Sequence, residues 1–113
     1  MSELSQLKCV SLLGGEPALS SGETYRLQPQ IPEWQVKTID GMPRLERVFK
    51  FKDFAQALAF TDKVGAIAEQ EDHHPLIVLE WGKVTVNWWT HKIGGLHKND
   101  FIMAAKTDEL YSK

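Results

Sequence analysis

The chain has 113 residues, 42% of them hydrophobic and 25% charged, with one cysteine and a formal net charge of −2. Those values fit one ordinary globular domain, residues 1–113, able to form a core without disulfides. They exclude the basic footprint of a nucleic-acid binder, and no apolar run approaches the ~18–20 residues of a membrane span.

Cys9 cannot form an internal disulfide and lacks CxxC spacing, which fits a reducing compartment. The start of the chain has no basic n-region, and CVSLLGG is too short and too polar for a signal peptide. A cytoplasmic location is therefore expected, with no nucleic-acid or membrane partner.

Residues 1–18 lack periodicity, and Gly14, Gly15 and Pro17 break any regular element, so this stretch is expected to be irregular. Ser20 and Glu23 have capping-box spacing, which predicts a helix of about two turns ended by Pro29 and Pro32. Trp34 to Ile39 alternates as a strand. Asp40-Gly41 signals a hairpin turn, with Met42-Pro43 lengthening the connection, and a second strand follows over Arg44 to Phe51. Leu45, Phe49 and Phe51 would share a face that Arg47 interrupts.

Asp53 resembles an N-cap, with Gln56 three residues on. The helix after it should run to about Glu71 and bury a stripe of Phe54, Ala57, Leu58, Thr61, Val64, Gly65 and Ala68. A third strand is expected over Leu76 to Trp81, a turn at Gly82-Lys83, and a fourth strand over Val84 to Thr90. Val84, Val86 and Trp88 would face the core, while Thr85, Asn87, Trp89 and His91 share the polar face. A last helix, from near Asn99 or Asp100 to about Tyr111, would bury Phe101, Ala104 and Ala105. The order α-β-β-α-β-β-α predicts an α+β fold: a four-stranded antiparallel sheet with about three helices packed on one face.

Three of the four histidines lie at the two ends of the second hairpin. His73 and His74 precede Pro75 and His91 follows the returning strand. A hairpin brings its ends together. Clustered imidazoles suit acid–base work near neutral pH. Three imidazoles are also a zinc ligand set, but HExxH and a cysteine cluster are absent, so an acid–base site without metal is favoured. GxSxG is absent too, and Gly94-Gly95 reads as a turn rather than a phosphate loop. Trp34, Trp81, Trp88 and Trp89 are each read first as core, with one or two able to flank a planar substrate.

The residues FKFKDFAQALAFTDKVGAIAEQEDHHP, then W-x-x-V-x-V-x-x-x-T-H from Trp81 and GL-x-x-x-D ending at Asp100, resemble the pterin-4a-carbinolamine dehydratase family. The similarity extends back to Pro32-x-Trp34 and covers about residues 20–111. The ending GLHKNDFIMAAKTDE resembles bacterial members that accompany phenylalanine hydroxylase.

The resemblance implies dehydration of 4a-hydroxytetrahydrobiopterin to quinonoid dihydrobiopterin without metal or organic cofactor. It implies His73, His74 and His91 as active-site histidines and Trp34 as a pocket wall. With it, His73 and His91 are assigned as the acid–base pair and His74 as a pterin-binding ring. Pro75 and Asp72 are placed at the substrate site, and Asp72 or Asp100 is expected to orient an imidazole. His97 stands where many members have Ser or Thr, so the cap of the last helix is expected to be weak or to move to Asn99. The resemblance further implies a homodimer, with tetramers through the last helix in some members. The alternative is a non-catalytic binding module, since the mammalian member also acts as a dimerisation cofactor of a homeodomain transcription factor.

Overall fold

The computed structural model describes residues 4–111. The elements are α1 (Ser21–Leu27), β1 (Gln35–Ile39), β2 (Met42–Lys50), α2 (Phe54–Glu71), β3 (Leu76–Glu80), β4 (Lys83–Trp88) and α3 (Lys98–Tyr111). Three short 3-10 turns, at Leu4–Gln6, Gln28–Gln30 and His91–Ile93, complete the list. All strand pairs are antiparallel and the spatial order is β1-β2-β4-β3. The architecture is the expected α+β one.

The local chemistry explains the boundaries. Ser20 and Glu23 form the reciprocal capping box that starts α1. Asp53 accepts the Gln56 N–H at 2.8 Å and starts α2. Asp40 and Gly41 both have positive φ, 54° and 76°, which suits the tight turn joining β1 and β2. Met42 and Pro43 do not lengthen that turn as expected. They pair with Ile39 and Thr38 and belong to β2, so the connection is two residues long. The second hairpin turns at Trp81-Gly82 rather than Gly82-Lys83, since Lys83 pairs with Glu80.

The core lies between the sheet and helices α2 and α3. Leu45 and Phe49 of β2, Val84, Val86 and Trp88 of β4, and Phe101, Met103 and Ala104 of α3 are all inaccessible to solvent. Arg47 breaks the alternation of β2 for a reason: it reaches Asp108 on α3 at 2.7 Å, and its guanidinium lies over Phe49. Burial pushes the Asp108 carboxyl above its ordinary range, although the Trp34 indole N–H and Arg47 pull the other way. The buried face of α2 is rotated from the expected stripe. Phe60 is buried with Ala57, Val64 and Ala68, whereas Phe54 and Leu58 are 43% and 42% exposed. Apolar residues surround the first two turns of α2, so periodicity alone did not select the inner face.

The segment before α1 also packs. Leu4 is 2% exposed within the core cluster, Ser5 donates to Glu109, and Lys106 donates to the Ser5 carbonyl. These contacts lay residues 4–10 along α3, which explains why α3 is buried on more than its sheet-facing side.

Candidate active site

Three segments converge on a cavity of about 640 Å³. Residues 71–75 leave α2, residues 89–92 leave β4, and residues 9–12 cross from the N-terminal segment, with Asn99 at the start of α3. His73, His74, Pro75, Asp72 and His91 are all brought together here. Trp34 is not. It is 1% exposed in the core, packs edge-on against Phe49 and donates to Asp108 at 2.8 Å, outside the lining of this cavity.

The turn out of α2 aims the paired histidines. Asp72 caps the helix in the left-handed region (φ 52°), and the His73 N–H still bonds back to the Ala68 carbonyl. Asp is one of the few non-glycine residues that adopts this conformation at modest cost. The chain therefore swings sharply before Pro75 opens β3, and both rings line one cavity although they are sequence neighbours.

Each imidazole has its own partner. His73 Nε2 lies 2.6 Å from Oδ1 of Asp100, and its ring stacks on Trp88 with 8° between the planes. Asp100 is fully buried, and its Oδ2 also accepts from the Thr90 hydroxyl at 2.8 Å and the His97 N–H at 2.9 Å. His74 Nε2 lies 2.5 Å from Glu69, a pair that faces solvent. Carboxylates accept, so in both rings the proton sits on Nε2 and Nδ1 is left to exchange with a bound molecule. Of the two carboxylates expected to orient a ring, Asp100 does so for His73. The role of Glu69 went unforeseen; it lies one helical turn before the motif, a spacing that was available to be read.

His91 is presented differently. Mutual backbone bonds between Thr90 and Gly95 close the loop, and Gly94 completes it with φ 66°. In this loop Nδ1 of His91 accepts the indole N–H of Trp89 at 2.9 Å, and the Arg44 guanidinium lies 3.8 Å above the Trp89 ring. Gly94-Gly95 is thus a turn that sets the histidine, with no phosphate-binding geometry.

His97 is itself the cap of α3. Its Nδ1 accepts the Asn99 N–H at 3.0 Å, while Asp100 accepts the His97 N–H. The cap has not moved to Asn99: an imidazole lone pair stands in for the hydroxyl oxygen. Asn99 instead clamps the N-terminal segment, accepting the Val10 N–H at 3.0 Å and donating to the Val10 carbonyl at 2.9 Å. Glu71 accepts the Cys9 N–H, and Lys92 reaches the Leu12 carbonyl across the mouth. The contribution of residues 9–12 to the cavity has no periodic signal in the sequence.

Among the described residues, no group of three or more His, Cys, Asp and Glu side chains is placed to hold a metal ion. No helix among them is long and apolar enough to cross a membrane.

Comparison with known proteins places these features in a family. The pattern of the family described as pterin 4 alpha carbinolamine dehydratase matches residues 17–110. A protein of Marinobacter nauticus, provisionally named pterin-4-alpha-carbinolamine dehydratase, is 59% identical over 98% of this chain and all of its own length. A solved structure described as a transcriptional coactivator/pterin dehydratase from Brucella melitensis superposes with a TM-score of 0.75 at 32% identity, covering 83% of this chain and 98% of that one. A pterin dehydratase-like protein described as a RuBisCO assembly factor in the alpha-carboxysome shares the fold, with a TM-score of 0.61 at 24% identity over 72% of this chain and 92% of its own.

Proposed function

The chain belongs to the pterin 4 alpha carbinolamine dehydratase family, and from that premise we propose that it is a hydro-lyase removing water from 4a-hydroxytetrahydrobiopterin to give quinonoid dihydrobiopterin. The observation that carries this reading is that His73, held from behind by the buried Asp100, lines a cavity shared with His74 and His91.

The chemistry needs two proton movements. A proton goes to the C4a hydroxyl, the C4a–O bond breaks, and water leaves. The N5 proton passes to a base as the C4a=N5 bond forms. Hydroxide is a poor leaving group, and each assisted transfer is worth roughly 10²–10⁴-fold. His73 suits one transfer because the buried carboxylate of Asp100 fixes its ring and proton. No change of oxidation state occurs, so the histidines and their carboxylates supply the groups the step requires.

The product would serve tetrahydrobiopterin recycling beside an aromatic amino acid hydroxylase such as phenylalanine hydroxylase, in the cytoplasm and as a homodimer. The second reading, a non-catalytic binding module, draws on the coactivator description of the Brucella structure. It gives no task to the His73 and His74 rings that Asp100 and Glu69 hold at the cavity. Freshly generated carbinolamine, followed by its ultraviolet spectrum, separates the two. The expected result is accelerated dehydration that His73→Ala reduces at least 100-fold, while a rate equal to the spontaneous one would overturn the enzyme reading.

A further inference from the structure

Residues 9–12 border the cavity without belonging to any regular element, and their bonds alternate in direction. The Cys9 N–H goes to Glu71 at 2.8 Å, at the end of α2. Val10 turns the other way, giving its N–H to Asn99 at 3.0 Å and accepting from the same side chain at 2.9 Å on its carbonyl. The Leu12 carbonyl accepts from Lys92 at 3.1 Å, on the loop after β4. This is the pattern of an extended chain, in which the N–H and C=O of one residue share a side and those of the next face the opposite one. Ser11 therefore presents its N–H and carbonyl on the same side as Cys9, toward Glu71 and the exit of α2 that carries His73 and His74. Among the described residues, neither group has a protein partner. Ser11 lines the cavity and is exposed at its mouth, whereas the His73 side chain is 11% exposed and lies inside.

We propose, resting on the dehydratase reading, that the Ser11 main chain binds the hydroxylated substituent at C6 of the pterin and makes the protein selective for substrates that carry one. The reaction places C4a and N5 at the histidines, and C6 is bonded to N5, so its substituent leaves the ring beside them. The ring is flat and rigid and needs the enclosed part of the cavity, where His73 stacks on Trp88. The substituent is flexible and hydroxylated. Burying its hydroxyls without partners costs free energy, whereas at the exposed strap they keep water and gain a donor and an acceptor. A hydroxyl both donates and accepts, so a dihydroxypropyl chain matches the free N–H and free carbonyl of one residue, and a methyl group matches neither. Asn99 and Lys92 hold the segment from its opposite side, which sets Ser11 in place before substrate arrives.

Two measurements test this, each with a pterin bearing a dihydroxypropyl group at C6 and with its 6-methyl counterpart. The first is activity. Ser11→Pro removes the N–H without breaking a bond inside the protein, and an extended Val10 tolerates a following proline. KM for the dihydroxypropyl substrate should rise about fivefold, the equivalent of one net hydrogen bond, with kcat little changed and both constants for the 6-methyl substrate unaltered. Ser11→Ala keeps both main-chain groups and should match the parent toward both substrates. The second measurement needs no substitution. In the ¹⁵N-labelled parent protein the Ser11 amide proton should move downfield on titration with 7,8-dihydrobiopterin and stay in place with 6-methyl-7,8-dihydropterin. An unchanged KM in Ser11→Pro, or an equal rise for both substrates, would overturn the proposal. So would a loss in Ser11→Ala as large as that in Ser11→Pro, or a Ser11 amide that does not move. A Ser11 amide that moves with dihydrobiopterin in a protein that dehydrates no carbinolamine would instead overturn the function and leave the recognition standing.

Discussion

Asp100 holds three donors at once. It accepts from His73, from the Thr90 hydroxyl and from the His97 N–H, all without exposure to water. An Asn in its place has one accepting oxygen and an amide that donates, so at least one donor is left facing another donor. Asp100→Asn should cost about 3 kcal/mol of stability, read from the urea midpoint, and should reduce kcat as well. An unchanged midpoint would show that the network is not satisfied in the way described. Cys9 offers a pH-dependent test at the same scale. Burial, and then the nearby Glu71 and Asp100 carboxylates, push its thiol up from 9.0 to about 12. A raised value means that the folded protein keeps the proton on sulfur at pH 9, where an unfolded chain would have lost about half of it. Alkylation by iodoacetamide at pH 9 should be roughly 10²-fold slower folded than in denaturant, because only the thiolate attacks; similar rates would refute the assignment. At this scale the sequence names the residues and hides their partners. Asp100 becomes the partner of His73 only when the helix exit and the start of α3 meet, whereas Glu69 and Trp89 are near neighbours in sequence of the imidazoles they bind.

The elements were legible where local chemistry fixes them. The capping residues Ser20 and Asp53, the Asp40-Gly41 turn and the alternation of Val84, Val86 and Trp88 could each be read directly. The inner face of α2 was not legible, because apolar residues ring its first turns and tertiary packing decides among them. Residues 9–12 were least legible of all: two hydrogen bonds from one side chain, Asn99, hold Val10 in place without any regular element. Asn99→Ala should free this segment while leaving the histidines where they are. The expected result is a several-fold rise in KM with a smaller change in kcat, and faster amide exchange over residues 9–12. A fall in kcat alone would show that the segment takes no part in holding substrate.

At the scale of the molecule, neither outer strand of the sheet is paired on its far side among the described residues. β1 is exposed along its length, and β3 shows Leu76 and Val78 at 43% and 42% exposure. Open apolar edges favour pairing with another chain. The expected dimer should appear in sedimentation equilibrium at micromolar concentration, and a monomer mass there would count against it. Helix α3 offers little free surface for higher assembly, because residues 4–10 already lie along it.

The shared duties of Asp100 bear on how a lost activity would be recognised. A descendant of this chain that had given up dehydration could not readily discard that carboxylate, because it also caps α3 and ties down Thr90. Drift would leave it in place as an architectural fossil. His91 is exposed and carries no such structural debt. Erosion of that ring, rather than of Asp100, is where retirement from catalysis would first be written.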